Sequence, residues 1–432
     1  MKHSVDQIPP FGQLAALGVQ HVLSMYAGAV TVPLIVGSAM HMSQADIGYL
    51  INADLLVSGV ATLIQCLGFW RFGVRMPLMQ GCTFTAVTPM VLIGTTGGGL
   101  TAIYGAVIVS GLLVIVLSPL WGKLLRFFPP LVTGTLITII GVSLLPVVAN
   151  WAAGGVGAPS FGAPRNVALA VGVLLIVVVV QRFAPPVLSR IAVLVGIVLG
   201  TVVAIPLGFT DFSGVSDANI LGISTPFHFG LPTFEVAAIV SMVVVMLVTM
   251  TETTGDILAV GELVDKPVDA RTLGDGLRAD GLSTFLGGVF NTFPYTAFSQ
   301  NVGLIGLTGV HSRYVVAFAG GILVVLGLLP VLGEIIAAIP QPVLGGAAIA
   351  MFGTVAASGI RTLSKVSFAE SWNLVVVAIS IGIGMLPIGA PGIYAQFPNW
   401  FRTIMESGIS TGAIAAVALN LLFNHLGRVK SR

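Results

Sequence analysis

Charge is what this 432-residue chain has least of: Asp, Glu, Lys and Arg together make up 8% of it, against roughly 25% in soluble domains. With 56% hydrophobic residues and a mean hydropathy of +1.03, that scarcity excludes a soluble enzyme, a disordered protein and a secreted disulfide scaffold. A polytopic membrane protein is left. The formal net charge of +2 is too small to call for a nucleic-acid partner. Only two cysteines are present, Cys66 and Cys82, both in apolar surroundings, so there is no disulfide framework. HExxH, paired CxxC and histidine clusters are missing, and no metal or other cofactor is expected. P-loops and a GxSxG elbow are missing too, which removes ATP drive and serine hydrolysis. The opening MKHSVDQIPPF has no apolar signal core, so the N-terminus is expected to be retained.

What is abundant is small or helix-breaking. The 54 glycines and 24 prolines predict helices that are small-faced, kinked or interrupted. Apolar stretches long enough to cross about 30 Å of hydrocarbon at roughly 1.5 Å per residue number fourteen. They are 14–37, 45–70, 76–95, 100–120, 127–150, 166–182, 187–208, 235–261, 279–293, 294–310, 313–332, 334–357, 367–387 and 405–426. The expected fold class is therefore an all-α polytopic membrane protein.

The charges test that count. With the N-terminus inside, the cytoplasmic segments hold Lys2, Arg71, Arg75, Lys123, Arg126, Arg182, Arg190, Lys266, Arg271, Arg278, Arg313, Arg361, Lys365, Arg428, Lys430 and Arg432. Only Arg165 and Arg402 fall outside, the asymmetry of the positive-inside rule. Losing one span would invert every later loop, so an even count with both termini cytoplasmic is favoured. Two polar stretches, 150–166 and 210–232 with Asp211 and Asp217, then lie outside. Seven spans precede the second of them. Because seven is odd, a second set of seven enters from the opposite side, which permits an inverted 7+7 repeat.

The third element of each half is interrupted alike. RMPLMQGCTFTAVTP carries Pro77, Gly81 and Pro89, and NTFPYTAFSQNVG carries Pro294 and Gly303. A broken pair at corresponding positions points to a midplane site, because unwound backbone presents N–H and C=O groups to a ligand. Proline-kinked packing helices are the plainer alternative for either one alone.

Four carboxyls, Asp54, Glu252, Asp256 and Asp280, fall within or at the edge of spans with no Lys or Arg at comparable depth. Such groups are costly in hydrocarbon and usually serve a pathway. Water-poor surroundings without a basic partner favour the neutral form, which can take a proton on one face and lose it on the other. Glu252 and Asp256, four apart in MTETTGDIL, share a helical face. Asp280 stands near the cytoplasmic start of its span; a functional acid is the favoured reading, and an N-cap or a snorkelling surface acid is the lesser alternative. Asp54 is read as a packing residue near the outer end of its helix. His21, beside Gln20 in GVQHVLSMY, is as readily a structural histidine as a ligand, and His311 reads as interfacial.

At this point the residues resemble a family. QNVGLIGLTG, Gln300 to Gly309, resembles the Q-N-x-G-x-x-x-x-T-G signature of the nucleobase–ascorbate transporters, also called nucleobase:cation symporter-2. TETTGD, the Gln20–His21 pair and ADG at Ala279–Gly281 match in the family's order, over essentially the whole chain. The resemblance implies a core domain of segments one to four and eight to eleven (1–120 and 234–332). It implies a gate domain of the remaining six (121–233 and 333–432), with short strands in the broken third and tenth segments. By position, Glu252 and Gln300 resemble the substrate-binding pair, and Phe84 and Phe298 the pair that sandwiches a base. Asn301, His21, Thr83 and Gly303 resemble site-supporting residues, and Asp280 and Asp256 the proton-coupling acids. Without the motif, phenylalanine in a chain holding 23 of them reads as core filler.

The residue types suit a flat heterocycle. Ionised Glu252 accepts N–H donors, the Gln300 amide donates and accepts, and phenylalanine faces stack on a ring. Gln300, Asp256 and the NADLL around Asp54 resemble the xanthine and uric acid branch; uracil permeases usually carry Glu and His at the first two positions. Gly309 stands where some members carry a base. The expected function is proton-coupled import of an oxidised purine across a bacterial inner membrane by elevator-like motion, with sodium the lesser choice of driving ion. Alternatives are a uracil or other nucleobase permease, or an anion transporter or channel of the same fold, which the lack of an arginine near Gln300 disfavours. An intramembrane hydrolase lacks a recognisable nucleophile, so no enzyme is expected. Lipid and a second copy are the expected partners. The small-residue faces LVTGTLITIIGVSL and PVLGGAAIAMFGTVAASG predict a homodimer through the gate.

Overall fold

Helices make up most of the computed structural model, which describes residues 4–212, 215, 219–369 and 371–426. Lys2, Asp217, Arg428, Lys430 and Arg432, used in the charge reading, lie outside the described residues. Among those described, nine helices are long and apolar enough to cross a membrane. They are Phe11–Ala39, Gln44–Leu67, Phe84–Phe127, Pro130–Ala152, Pro164–Phe183, Val236–Leu263, Gln341–Leu363, Trp372–Gly389 and Gly408–His425. Arg313–Gly327 and Pro330–Ala337, bent by 82°, make a tenth if taken as one span. The chain is thus a multi-pass membrane protein.

The other expected spans fall on shorter or more polar pieces. Stretches 76–95 and 100–120 join into the single 84–127 run, broken by Gly97 at φ 109°, a conformation that excludes a side chain at little cost only for glycine. Stretch 187–208 contains the 13-residue helix Ala192–Ala204. Stretch 294–310 is a strand followed by the helix Ser299–Thr308. The ninth span starts earlier than expected, at Ala270 and not near residue 279, because Asp269 caps it by accepting from the Thr272 N–H at 2.7 Å. Arg278, placed in a cytoplasmic loop by the sequence reading, lies inside this helix and pairs with Asp275 one turn back.

Two short strands, β1 (Gln80–Cys82) and β2 (Tyr295–Ala297), pair antiparallel with Gln80 opposite Ala297 and Cys82 opposite Tyr295. They are the strands expected in the broken third and tenth segments. Helix Gln44–Leu67, capped by Ser43, runs beside β1. Small residues bring helices close around them, as where Gly59 meets the Gly320 backbone and Gly111 meets Gly281 and Phe285.

The two small-residue faces expected to meet another subunit are used within the chain. Gly141 lies against Ala356, Gly359 against Thr138, and Gly345 against Ala152. Exposed apolar side chains stand elsewhere, among them Val171, Leu175, Val178 and Val179 on Pro164–Phe183.

Candidate functional site

Strand pairing fixes two backbone crossings next to a large cavity. The Thr83 N–H donates to Pro294 O at 2.9 Å, and the Phe298 N–H to Met79 O at 3.0 Å. Each strand then turns into a helix, the first through Phe84–Ala86 into Val87–Ile93 and the second into Ser299–Thr308. Thr83 shapes the first turn, its Oγ1 accepting from the Thr85 N–H at 3.2 Å. The orphan N–H groups of both helix starts therefore lie beside one space of about 1170 Å³.

Seven of the residues singled out in the sequence line that cavity: Thr83, Phe84, Glu252, Asp256, Phe298, Gln300 and Gly303. Glu252 is held by Thr85, whose Oγ1 reaches Oε1 at 3.1 Å and Oε2 at 3.3 Å. One turn on, Asp256 accepts from Ser299 Oγ at 2.8 and 2.9 Å on its two oxygens. The expected shared face is thus real: both carboxyls look toward the strand ends, each held by a hydroxyl from a different strand exit. Gln300 is exposed to the cavity, and Gly303 has open space where a side chain would stand. Phe298 is buried and Phe84 half-buried, the latter edge-on to Phe352 with ring centroids 5.2 Å apart. Gly28 of the first helix lies against both phenylalanines, where a Cβ would crowd Phe298 and touch Phe84.

Arg126, Arg361 and Lys365 also line this cavity. None of the three has an ion-pair partner among the described residues. The cavity is thus lined by both acids and bases, the bases coming from segments far in sequence from Gln300.

Three sequence candidates stand behind the strands and not on the cavity. Asp280 is neither an N-cap nor a surface acid: it is buried ten residues into its helix and accepts from Gln65 Nε2 at 2.9 Å, with Thr253 and Gln80 close by. His21 and Asn301 are bonded to each other, Asn301 Nδ2 lying 3.0 Å from His21 Nδ1 and donating to His21 O at 2.9 Å. They brace the Ser299–Thr308 helix against the first helix.

Asp54 has the packing role expected of it but not the expected position. It is fully buried within its helix, not at an end. Its Oδ1 gathers Cys82 Sγ at 2.7 Å, Tyr295 Oη at 2.8 Å, Thr292 Oγ1 at 3.3 Å and Ser58 Oγ at 3.4 Å. This one carboxyl ties β1, β2 and the turn before β2 to the second helix. Thr85, Ser299 and Gln65, by contrast, have no counterpart in the sequence analysis; short hydroxyl and amide residues in an apolar run give no signal until the register is known. Among the described residues no three His, Cys, Asp or Glu side chains gather into a metal-binding group.

Comparison with known proteins agrees along the chain. The sequence model described as the Permease family matches residues 12–392. The chain is 45% identical over 420 residues to the "Xanthine permease" of Bacillus subtilis (strain 168), covering 97% of this chain and 96% of that protein. It is 44% identical over 423 residues to the "Uric acid transporter UacT" of Escherichia coli (strain K12), covering 97% and 88%. Among solved structures, the transmembrane domain of a cyanobacterium bicarbonate transporter, BicA, superposes with a TM-score of 0.61 at 17% identity, covering 96% of this chain and all of that one. SLC26A9 follows at 0.59 and 13%, covering 94% of this chain and 65% of that one. At such identities these two share the fold alone.

Proposed function

This chain belongs to the Permease family, the nucleobase–ascorbate transporters that its motifs resemble, and from that premise we propose that it imports an oxidised purine, xanthine or uric acid, by proton symport. It is a transporter and not an enzyme. The observation that carries the purine reading is the convergence of Glu252, Gln300, Phe84 and Phe298 on one cavity at the ends of two paired strands. The similarity to a xanthine permease and a uric acid transporter along nearly the whole chain supports it.

In this reading the purine lies between the Phe84 and Phe298 rings. Ionised Glu252, steadied by Thr85, accepts ring N–H donors, and the Gln300 amide bonds an adjacent N–H and C=O edge. Thr83 and Gly303 shape the wall, while His21 and Asn301 keep the helix carrying Gln300 in place. Arg126, Arg361 and Lys365 favour a purine carrying negative charge, which an oxidised purine gains when a ring N–H ionises. Asp280 takes the coupled proton; Asp256, one turn from Glu252, is the alternative site.

The remaining parts of the proposal concern the whole molecule. Fourteen segments form two inverted sets of seven, supported by the matching strand-to-helix form of the third and tenth. Core segments (1–120 and 234–332) slide as an elevator against gate segments (121–233 and 333–432), with the cavity between them. The chain sits in a bacterial inner membrane with both termini cytoplasmic. It pairs as a homodimer through the gate, by the exposed face of Pro164–Phe183 in place of the small-residue faces.

Uptake into proteoliposomes of radiolabelled xanthine, urate, uracil and sulfate, under imposed pH or sodium gradients, tests this. Accumulation of xanthine or urate under the pH gradient is expected. Uracil-only or sulfate-only uptake would replace the substrate assignment with one of the two alternatives, and uptake driven by sodium alone would remove the proton.

A further inference from the structure

A second, smaller cavity of about 200 Å³ lies where helix Gln44–Leu67 ends, helix Val236–Leu263 ends and helix Ala270–Val289 begins. It is lined by Trp70, Arg75, Lys266, Arg271, Thr272 and Asp275, among others. The loop that shapes it is tightly wound: Gly68 and Gly73 have positive φ, and so do the non-glycine residues Trp70 at 45° and Arg75 at 53°. Such conformations cost on the order of 1 kcal/mol or more each, and they tend to persist where a site holds them.

The charges in this pocket are not balanced. Asp275 is already shared among Arg71 at 3.5 Å, Arg271 at 4.0 Å and Arg278. Arg75 and Lys266 have no carboxylate ion pair among the described residues. The nearby acid that acts on Lys266 is Asp6, and Asp6 is engaged by Arg313 at 2.8 Å. Lys266 instead donates to the backbone carbonyl of Arg75 at 3.1 Å. Burial holds its ammonium below the usual lysine range, and the Arg313 and Arg75 cations add to that against the pull of Asp6. An anion placed in the pocket would relieve this repulsion.

The surroundings say which kind of anion. Leu67, Phe69 and Trp70 beside the pocket are 43%, 49% and 80% exposed. Exposed aromatic side chains at the end of a membrane helix belong at headgroup level, and basic pockets between helix ends suit phosphate headgroups. We propose that this pocket binds the phosphate of an anionic phospholipid, with Arg75, Lys266 and Arg271 around the phosphate and Trp70 against the glycerol and upper acyl region. Occupancy steadies the loop whose Val74 N–H donates to Gln65 Oε1 at 3.0 Å. The same Gln65 amide donates to Asp280 at 2.9 Å. The lipid site is in this way two hydrogen bonds from the buried acid.

Native mass spectrometry of the full chain, released from nanodiscs of phosphatidylcholine with a minority of phosphatidylglycerol, tests this. The parent should retain phosphatidylglycerol in preference to phosphatidylcholine. Arg75→Gln with Lys266→Gln should weaken that retention by about fivefold per cation, or roughly 25-fold together. Arg190→Gln, at a half-buried arginine remote from the pocket lining, should leave it unchanged. If the double variant does not fold, Arg271→Gln on a 73% exposed side chain replaces it, with about fivefold weakening expected. Equal retention by the variants and the parent would overturn the proposal. So would inorganic phosphate or glycerol phosphate binding the pocket as tightly in phosphatidylcholine-only nanodiscs, which would make it a soluble-anion site.

Discussion

Replacing Gly28 by alanine probes the aromatic sandwich through a residue that touches no substrate. A Cβ there would stand 2.7 Å from Cε1 of Phe298, 3.4 Å from its Cζ and 3.7 Å from Cζ of Phe84. Carbon atoms prefer about 3.5–4.0 Å, so the Phe298 ring must give way by roughly 1 Å. It has little freedom to do so, because the Gly81 backbone lies so close to the ring's other edge that a Cβ there would clash with Phe298 Cε2. The remaining direction is into the cavity, where the purine belongs. Overpacking of this kind costs about 1–3 kcal/mol. If that cost falls on the bound state, KM rises by roughly 5- to 150-fold with the maximal rate little changed. The fold itself is partly protected, since alanine in a helix interior is favoured over glycine by about 1 kcal/mol. The assay is initial-rate uptake of labelled xanthine and urate into proteoliposomes, with Gly12→Ala as control, since nothing lies within 4 Å of that position. A Gly28→Ala protein with the parental KM for both purines would refute the sandwich between Phe84 and Phe298.

Three further outcomes follow from the same geometry. Glu252→Gln removes a charge-assisted acceptor worth about 1.5–3 kcal/mol, so purine affinity in an equilibrium binding assay should fall at least tenfold, while Gln300→Glu should change ligand preference more than expression; unchanged affinity in Glu252→Gln would unseat that assignment. Asp280→Asn keeps a donor in place of an ionisable group and should retain binding and exchange but lose accumulation under a pH gradient; accumulation at the parental rate would make Asp280 structural. Asp54→Ala leaves Cys82 and Tyr295 buried without their shared acceptor, which should lower thermal stability by 3 kcal/mol or more, on the order of a broken buried network; a melting temperature equal to that of the parent would show that the strand pair does not depend on this carboxyl.

The membrane character, the broken segments and the Glu252–Asp256 face were legible in the sequence because they depend on local features, while Phe84, Phe298 and Gln300 were pointed to by the motif resemblance. Apolar length, paired prolines and the four-residue spacing of Glu252 and Asp256 each survive without knowledge of what packs where. The misplacements share one cause. Asp54 and Asp280 were read by their distance from helix ends that the sequence locates poorly. The ninth helix in particular begins with the polar turn capped by Asp269, not with its first apolar residue. The small-residue faces around Gly141 and Gly359 were read correctly as close-packing surfaces, yet a pattern of small residues does not say whether the partner is another chain or another helix of the same one. The basic lining of the cavity was invisible for a similar reason, since Arg126 and Arg361 come from distant parts of the chain.

The two strands at the centre of the molecule also set an order of events during synthesis. Gln80 and its register partner Ala297 are separated by roughly two hundred residues. A ribosome adding about 5–20 residues per second therefore delivers the second strand some ten to forty seconds after the first. For that interval β1 has no strand to bond, and Asp54 lacks Thr292 and Tyr295, two of its four donors. Unpaired backbone in hydrocarbon costs several kcal/mol per group, so the newly inserted first half must stay sheltered by neighbouring helices or by the insertion machinery until the later strand arrives. A nascent chain stopped before residue 297 would hold a membrane-embedded polar layer that is still unfinished, a natural mark by which quality-control proteases could distinguish stalled products from mature transporter.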